Sequence, residues 1–210
     1  MLADLTPDQI NSLISAGAGF AGAVIGAGAT LLSTWLAKRL QTNGRVFLYA
    51  RIVHIPTGNH QTWGYDISET KPGLYLMIPL WLDVCNTSGV SRILRNVNLS
   101  AYFNKKEVAS FTQIQRSGDG GNAIQFGENG AYTVVVPANS AKRFEMLFML
   151  HETELPDKSK EFDELILTYF DEQNKIHSFH FASIEQCWVR GALPEQKEWI
   201  TLDRRCRYAR

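Results

Sequence analysis

LISAGAGFAGAVIGAGATLLSTWLA, residues 13–37, governs how the rest of the chain is read. It sits inside a run of 29 uncharged residues between Asp8 and Lys38. As a helix, 25 residues at 1.5 Å each extend about 38 Å, more than the ~30 Å hydrocarbon core of a bilayer. The stretch is rich in Gly and Ala, so Ile14, Phe20, Val24, Ile25, Leu31, Leu32, Trp35 and Leu36 carry most of the transfer free energy. Trp35 stands near the end, where an indole suits the membrane interface. A cleaved signal peptide would open with a basic segment, whereas residues 1–12 contain Asp4 and Asp8 and neither Lys nor Arg. The run is also long for the buried helix of a soluble protein. The expectation is one transmembrane helix over 13–40, preceded by a short extracytoplasmic segment, 1–12, in which Thr6 caps the helix and Pro7 opens it.

Flanking charge gives an orientation. The only nearby basic residues are C-terminal: Lys38, Arg39, Arg45 and Arg51. By the positive-inside rule the remainder of the chain lies in the cytoplasm, below an inner (plasma) membrane, with the N-terminus outside. Trp35, Lys38, Arg39 and Arg45 are the membrane-flanking residues in this reading.

Small residues recur every four positions, at Ala18, Gly22, Gly26, Thr30 and Thr34, on one slowly drifting helix face. Gly22-x-x-x-Gly26 is the centre of this ladder, and Ser15, Gly19, Ala23 and Ala27 form a neighbouring row. Such a face lets two backbones approach closely, so the helix is expected to pack against a second copy of itself. The plainer reading is an anchor whose small residues do nothing further.

From Arg45 the periodicity becomes strand-like. Apolar or alternating runs cover 46–55, 74–84, 93–103, 107–114, 132–136, 143–150, 165–170 and 176–184. Asn86-Thr87-Ser88-Gly89, Asn104-Lys105-Lys106 and Asp171-Glu172-Gln173-Asn174-Lys175 read as turns, and Ser117–Gly121 as a loop. Pro79 suggests that 74–84 is an edge strand or is bulged. In 93–103, Val97, Leu99, Ala101 and Phe103 share one face. Seven or eight strands with frequent turns and no long helix between them favour an antiparallel β-sandwich over 46–184. The pattern resembles Ig-like domains at the level of fold, without their Cys–Trp–Cys core. Residues 185–210 form a basic strand or tail, with Trp188, Trp199 and Arg204, Arg205, Arg207 and Arg210. Its arginines either touch anionic headgroups or are simply solvated on a last strand, and the second is preferred.

Chemistry is sparse. The formal charge is zero, from 21 basic and 21 acidic residues, which argues against nucleic acid as a partner. Cys85, Cys187 and Cys206 are odd in number and unpatterned, which suits thiols in a reducing compartment, with Cys85 as a small core residue. Gly118-Asp119-Gly120-Gly121 lacks the Lys of a phosphate loop. His177 and His180 are three apart on a strand and face opposite ways, so they do not form a metal pair. His54, His60 and His151 lie in separate elements, and no GxSxG is present. No enzyme activity, cofactor or metal is expected.

The functional expectation is a membrane effector or sensor. A cytoplasmic sandwich binds a protein or a small molecule, at its edges or at the loops 56–72 and 116–130, while the helix self-associates. In the stronger form it permeabilises the membrane, by architectural analogy with some phage-defence effectors. A small-molecule ligand is left open because Trp63, Tyr65, Trp81, Trp188, Arg92 and Arg95 could contact one. The alternative is a non-catalytic accessory subunit whose helix packs against another membrane protein.

Overall fold

A computed structural model describes residues 6–53, 56–57, 60–61, 64–67, 72–116, 123–125, 132–155, 160–193, 196–203, 205–206 and 208. The chain divides into two compact units, Met1–Asn43 and Gly44–Arg210.

The described part of the first unit is one helix, α1 (Pro7–Thr42), 36 residues long. Thr6 is its N-cap in extended backbone, Pro7 opens the first turn, and the Gln9 side chain accepts the Thr6 N–H at 3.0 Å. Asp8 in the first turn and Arg39 in the last complement the helix dipole. The helix ends at Asn43, whose N–H bonds the Arg39 carbonyl at 3.0 Å. Every residue of α1 is exposed. It is long and apolar enough to cross a membrane.

Among its described residues the second unit is built of strands, with one 3-10 turn, Glu152–Glu154. Its strands are β1 (Val46–Ile52), β2 (Pro56–Thr57), β3 (His60–Gln61), β4 (Gly64–Ile67), β5 (Leu74–Asn86), β6 (Arg92–Phe103) and β7 (Lys106–Ser110). They continue as β8 (Thr112–Arg116), β9 (Ala123–Gln125), β10 (Val134–Val136), β11 (Ser140–His151), β12 (Glu164–Phe170), β13 (Ile176–Ser183) and β14 (Ile200–Thr201). Among the described residues they make two large antiparallel sheets and the small pair β2–β3. The first runs β14-β1-β5-β11-β8-β9, with β4 also on β5. The second runs β10-β6-β12-β13, with β7 also on β6. Leu76, Ile78, Leu80, Leu82 and Val84 of the first sheet and Val97, Leu99, Ala101, Leu165 and Leu167 of the second belong to one buried cluster.

Three sequence expectations are corrected. The strand carrying Pro79 is no edge: β5 lies between β1 and β11. Pro79 is accommodated because β1 pairs only with Leu80–Asn86 and β4 only with Leu74–Met77. Its carbonyl faces that side, accepting the Val53 N–H at 2.8 Å, so its missing N–H falls in the gap between two neighbours. Residues 107–114 are not one strand. β7 pairs with β6 and β8 with β11, so the chain changes sheet at Phe111, which is 0% exposed and donates its N–H to Leu99 O. Cys85 is not a core residue, because Val84 and Asn86 take the inward positions of β5 and leave Cys85 on the outer face. Phe103 is likewise only half-buried, at the end of β6.

Other local readings are as the residue chemistry suggests. Asn104 and Lys105 both adopt positive φ, +50° and +65°, in the two-residue β6–β7 hairpin. The turn 171–175 uses Asn174 at φ +62°. The C-terminal segment packs as a strand on the domain: β14 pairs with β1, Leu202 is buried, and Arg205 bridges to Phe179 of β13. One short segment therefore joins the edge of the first sheet to the edge of the second. His54, Ile55, Trp63, Ser117–Gly121, most of the loops 56–72 and 116–130, and Arg204, Arg207 and Arg210 lie outside the described residues.

Candidate functional site

On α1 the ladder positions Ala18, Gly22, Gly26, Thr30 and Thr34 are all exposed, and a Cβ added at Gly22 or Gly26 would meet nothing within 4 Å. The two threonine hydroxyls are internally satisfied: Thr30 donates to Gly26 O and Thr34 to Thr30 O, each at 2.8 Å. The face therefore presents no hydroxyl proton in search of a partner, a condition for tight packing in a medium without water. Near the C-terminal end, the Arg39 guanidinium lies 5.1 Å from the Trp35 ring centroid.

Arg45 does not belong to the helix. It stands in the β-domain, where its N–H donates to the Thr87 hydroxyl at 2.9 Å and its carbonyl accepts from the Thr87 N–H at 3.1 Å. The chain thus joins the domain against the turn after β5. Asn86, 2% exposed, organises that turn. Its amide nitrogen donates to the carbonyls of Val90, Pro137 and Val136 at 2.8, 2.9 and 3.3 Å. Its oxygen accepts from the N–H and hydroxyl of Ser88 at 3.0 and 2.6 Å. Asn139 N donates to Ser88 O at 2.9 Å, tying in the turn between β10 and β11.

Gly44 is packed so closely here that a Cβ would lie 2.5 Å from the Ser88 amide nitrogen, which is backbone and cannot swing aside. Gly44→Ala is therefore expected to destabilise the β-domain by about 2 kcal/mol, measured as an earlier thermal transition. An unchanged midpoint would show that the junction is loose.

A cleft of about 550 Å³ opens at this end, lined by residues that include Arg45, Phe47, Arg92, Tyr169, Asp171, His177, Phe179, Asp203 and Arg205. Tyr169 stacks on His177, with centroids 4.8 Å apart, and on Phe179, at 6.1 Å. Burial pushes the Tyr169 phenol up to about 12. His177 Nε2 meets Asp171 Oδ2 at 2.8 Å, and Arg92 pairs with Glu172. Burial alone would raise the Asp171 carboxyl, but the His177 ring and the amides of Lys175 and Gln173 outweigh it and hold the carboxyl below its ordinary range. His180 has other partners, Ser183 and Glu164, so the two histidines are separate. No group of three or more His, Cys, Asp or Glu able to hold a metal occurs among the described residues.

Strand directions sort the charges along the domain. At the end where the chain joins it lie Arg45, Arg92, Arg95, Lys142, Lys175 and Arg205, against Asp171, Glu172 and Asp203. At the opposite end, among the described residues, lie Asp66, Glu107, Glu152, Glu154, Glu161, Asp163, Glu164 and Glu185, against Lys105, Lys106, Lys160 and Arg190. A chain of zero formal charge therefore carries a domain with one basic and one acidic end. Sequence reasoning could not find this end, because its members come from positions 45, 92–95, 142, 171–177 and 203–205 and meet only once the strand pairing is known. Of the residues named as a possible ligand surface, Tyr65, Trp188, Trp81, Arg92 and Arg95 do not converge. Tyr65 and Trp188 pack edge-to-face, and Trp81 stacks with Trp199 under the Arg143 guanidinium, while Arg95 bonds Asn174 at 2.8 Å.

No protein-family profile matches the chain, and no curated protein is significantly similar to it.

Proposed function

We propose that this chain is a single-pass membrane protein of the plasma (inner) membrane whose helix anchors and self-associates. In this reading it carries on its cytoplasmic side a β-sandwich of Ig-like kind that works as a binding effector or sensor, without catalysis of its own. The observation that carries the reading is α1: 36 residues, uncharged from Gln9 to Ala37, with no residue buried. Isolated in water, such a surface would be a large unpaired apolar area, and lipid is the solvent that suits it. Lys38, Arg39, Arg45 and Arg51 support a cytoplasmic domain and an external N-terminus. The ladder Ala18–Gly22–Gly26–Thr30–Thr34, with its satisfied hydroxyls, supports close helix–helix contact. Two antiparallel sheets around one buried cluster support the sandwich. Clustering of the helices, and in the stronger form permeabilisation of the bilayer, would be the output.

The test is the mass of the full chain in mild detergent beside Gly22→Ile and Gly26→Ile. The expected result is a homo-oligomer that falls to monomer in both variants, a loss of affinity of about tenfold or more. An oligomer that survives both substitutions, or that persists in a chain beginning at Gly44, places assembly elsewhere. A stoichiometric foreign partner would favour the accessory-subunit reading instead.

A further inference from the structure

The charge segregation of the β-domain has a direction relative to the chain itself. Only Asn43, Gly44 and Arg45 separate the last helical residue, Thr42, from the first strand residue, Val46. At no more than ~3.6 Å per residue, that link spans about 14 Å at most. A helix that spans lipid and ends at Thr42 therefore tethers the basic end of the domain, and not the acidic one, within reach of the headgroups. We propose that this end docks on a lipid surface bearing anionic phosphate headgroups, an inference that rests on the membrane-spanning reading of α1.

The side chains suit that partner. Arg45, Arg95, Lys175 and Arg205 are exposed at this end. Two of the three acids at this end are engaged by the protein: Asp171 accepts the Gln173 and Lys175 amides, each at 2.9 Å, and pairs with His177, while Glu172 pairs with Arg92; the third, Asp203, is exposed. The basic residues of this end still outnumber its acids, so the field it presents is positive. Ile93 and Val135, a cross-strand pair one residue from the same end, are 37% and 51% exposed. Apolar side chains beside a basic surface fit the boundary between headgroup and acyl chain. The acidic far end would be repelled by the same surface, so the orientation is specified twice, by attraction and by repulsion.

The experiment uses the full chain in nanodiscs of phosphatidylcholine alone and with about a third phosphatidylglycerol. Hydrogen exchange is read in the turns 87–91 and 171–175. Exchange there is expected to slow roughly tenfold or more on the anionic discs, and the protection should disappear near 0.5 M salt. The doubly reversed chain, Arg45→Glu with Lys175→Glu, should lose the protection while exchanging in its core strands like the parent. Equal exchange on both lipids would overturn the proposal. So would protection by inorganic phosphate on neutral discs, because that would mark a pocket for free phosphate in place of a surface for lipid. A chain that fails to enter either disc would overturn the membrane reading, and this proposal with it, before any difference between lipids is measured.

Discussion

Asn86→Asp should lower the stability of the β-domain by about 3–5 kcal/mol, with a thermal midpoint lower by roughly 10 °C or more. The two side chains have nearly the same shape, so packing is not the cause. The amide nitrogen of Asn86 serves three carbonyls, that of Val90 nearby and those of the adjacent Val136 and Pro137 at the end of β10. An ionised carboxylate would present oxygen to all three, and a buried charge facing acceptors is costly. The sign of its pH dependence follows. The new carboxyl would titrate above its unfolded value, so the variant would be least impaired below about pH 4, where both states are protonated. The penalty would grow as pH rises from there toward the folded-state pKa. Calorimetry at pH 4 and pH 8 checks this, and a loss that is equal at both would show that geometry, not charge, sets the role of Asn86. Thr87→Ala, which removes one exposed hydroxyl between Arg45 N and O, should cost only about 1 kcal/mol.

Asn86 also shows why sequence reading goes as far as it does. Asn86–Gly89 is legible as a turn from composition alone, because Asn, Ser and Gly favour that backbone. That the Asn side chain also binds Val136 and Pro137 at the end of β10 depends on contacts 50 and 51 residues apart, which no local pattern encodes. The same division holds elsewhere. The alternation of β6 announces Val97, Leu99 and Ala101 as core, and all three are fully buried. Alternation cannot announce that Asn98, Ser100 and Tyr102 on the other face are buried too, because their cover comes in part from β7 and from residues near the C-terminus. Residues 107–114 read as one strand because a chain that crosses between sheets keeps its apolar rhythm, with Phe111 serving both layers. Pro79 misled for a related reason: a proline argues against a paired neighbour at its own position, not along the whole strand. The basic end of the domain was invisible in a chain of zero formal charge for the same cause, since charge balance is a sum and polarity is an arrangement.

The helix offers the sharpest contrast between environments, because the same substitution has opposite signs in water and in lipid. Ile25 and Leu32 are 71% and 60% exposed on α1. On a helix solvated by water, Ile25→Asp and Leu32→Lys would replace exposed apolar groups with charges and leave the chain as soluble or more so. In a bilayer Ile25→Asp exchanges a favourable residue for one that costs about 3 kcal/mol at the centre, and Leu32→Lys, nearer the flank where a lysine can snorkel, adds a smaller penalty, so the pair shifts insertion by roughly 4 kcal/mol, some three powers of ten. A Leu-rich span could absorb part of that; this one is built largely of Gly and Ala and has little reserve. The doubly substituted chain is therefore expected to leave the membrane fraction on alkaline extraction, while the parent stays. Its β-domain, with a buried cluster drawn only from residues of its own unit, should keep its thermal transition. If parent and variant both resist extraction, the apolar face is held by something other than lipid. A partner protein's helices then become the cover, and the accessory-subunit reading gains what the effector loses.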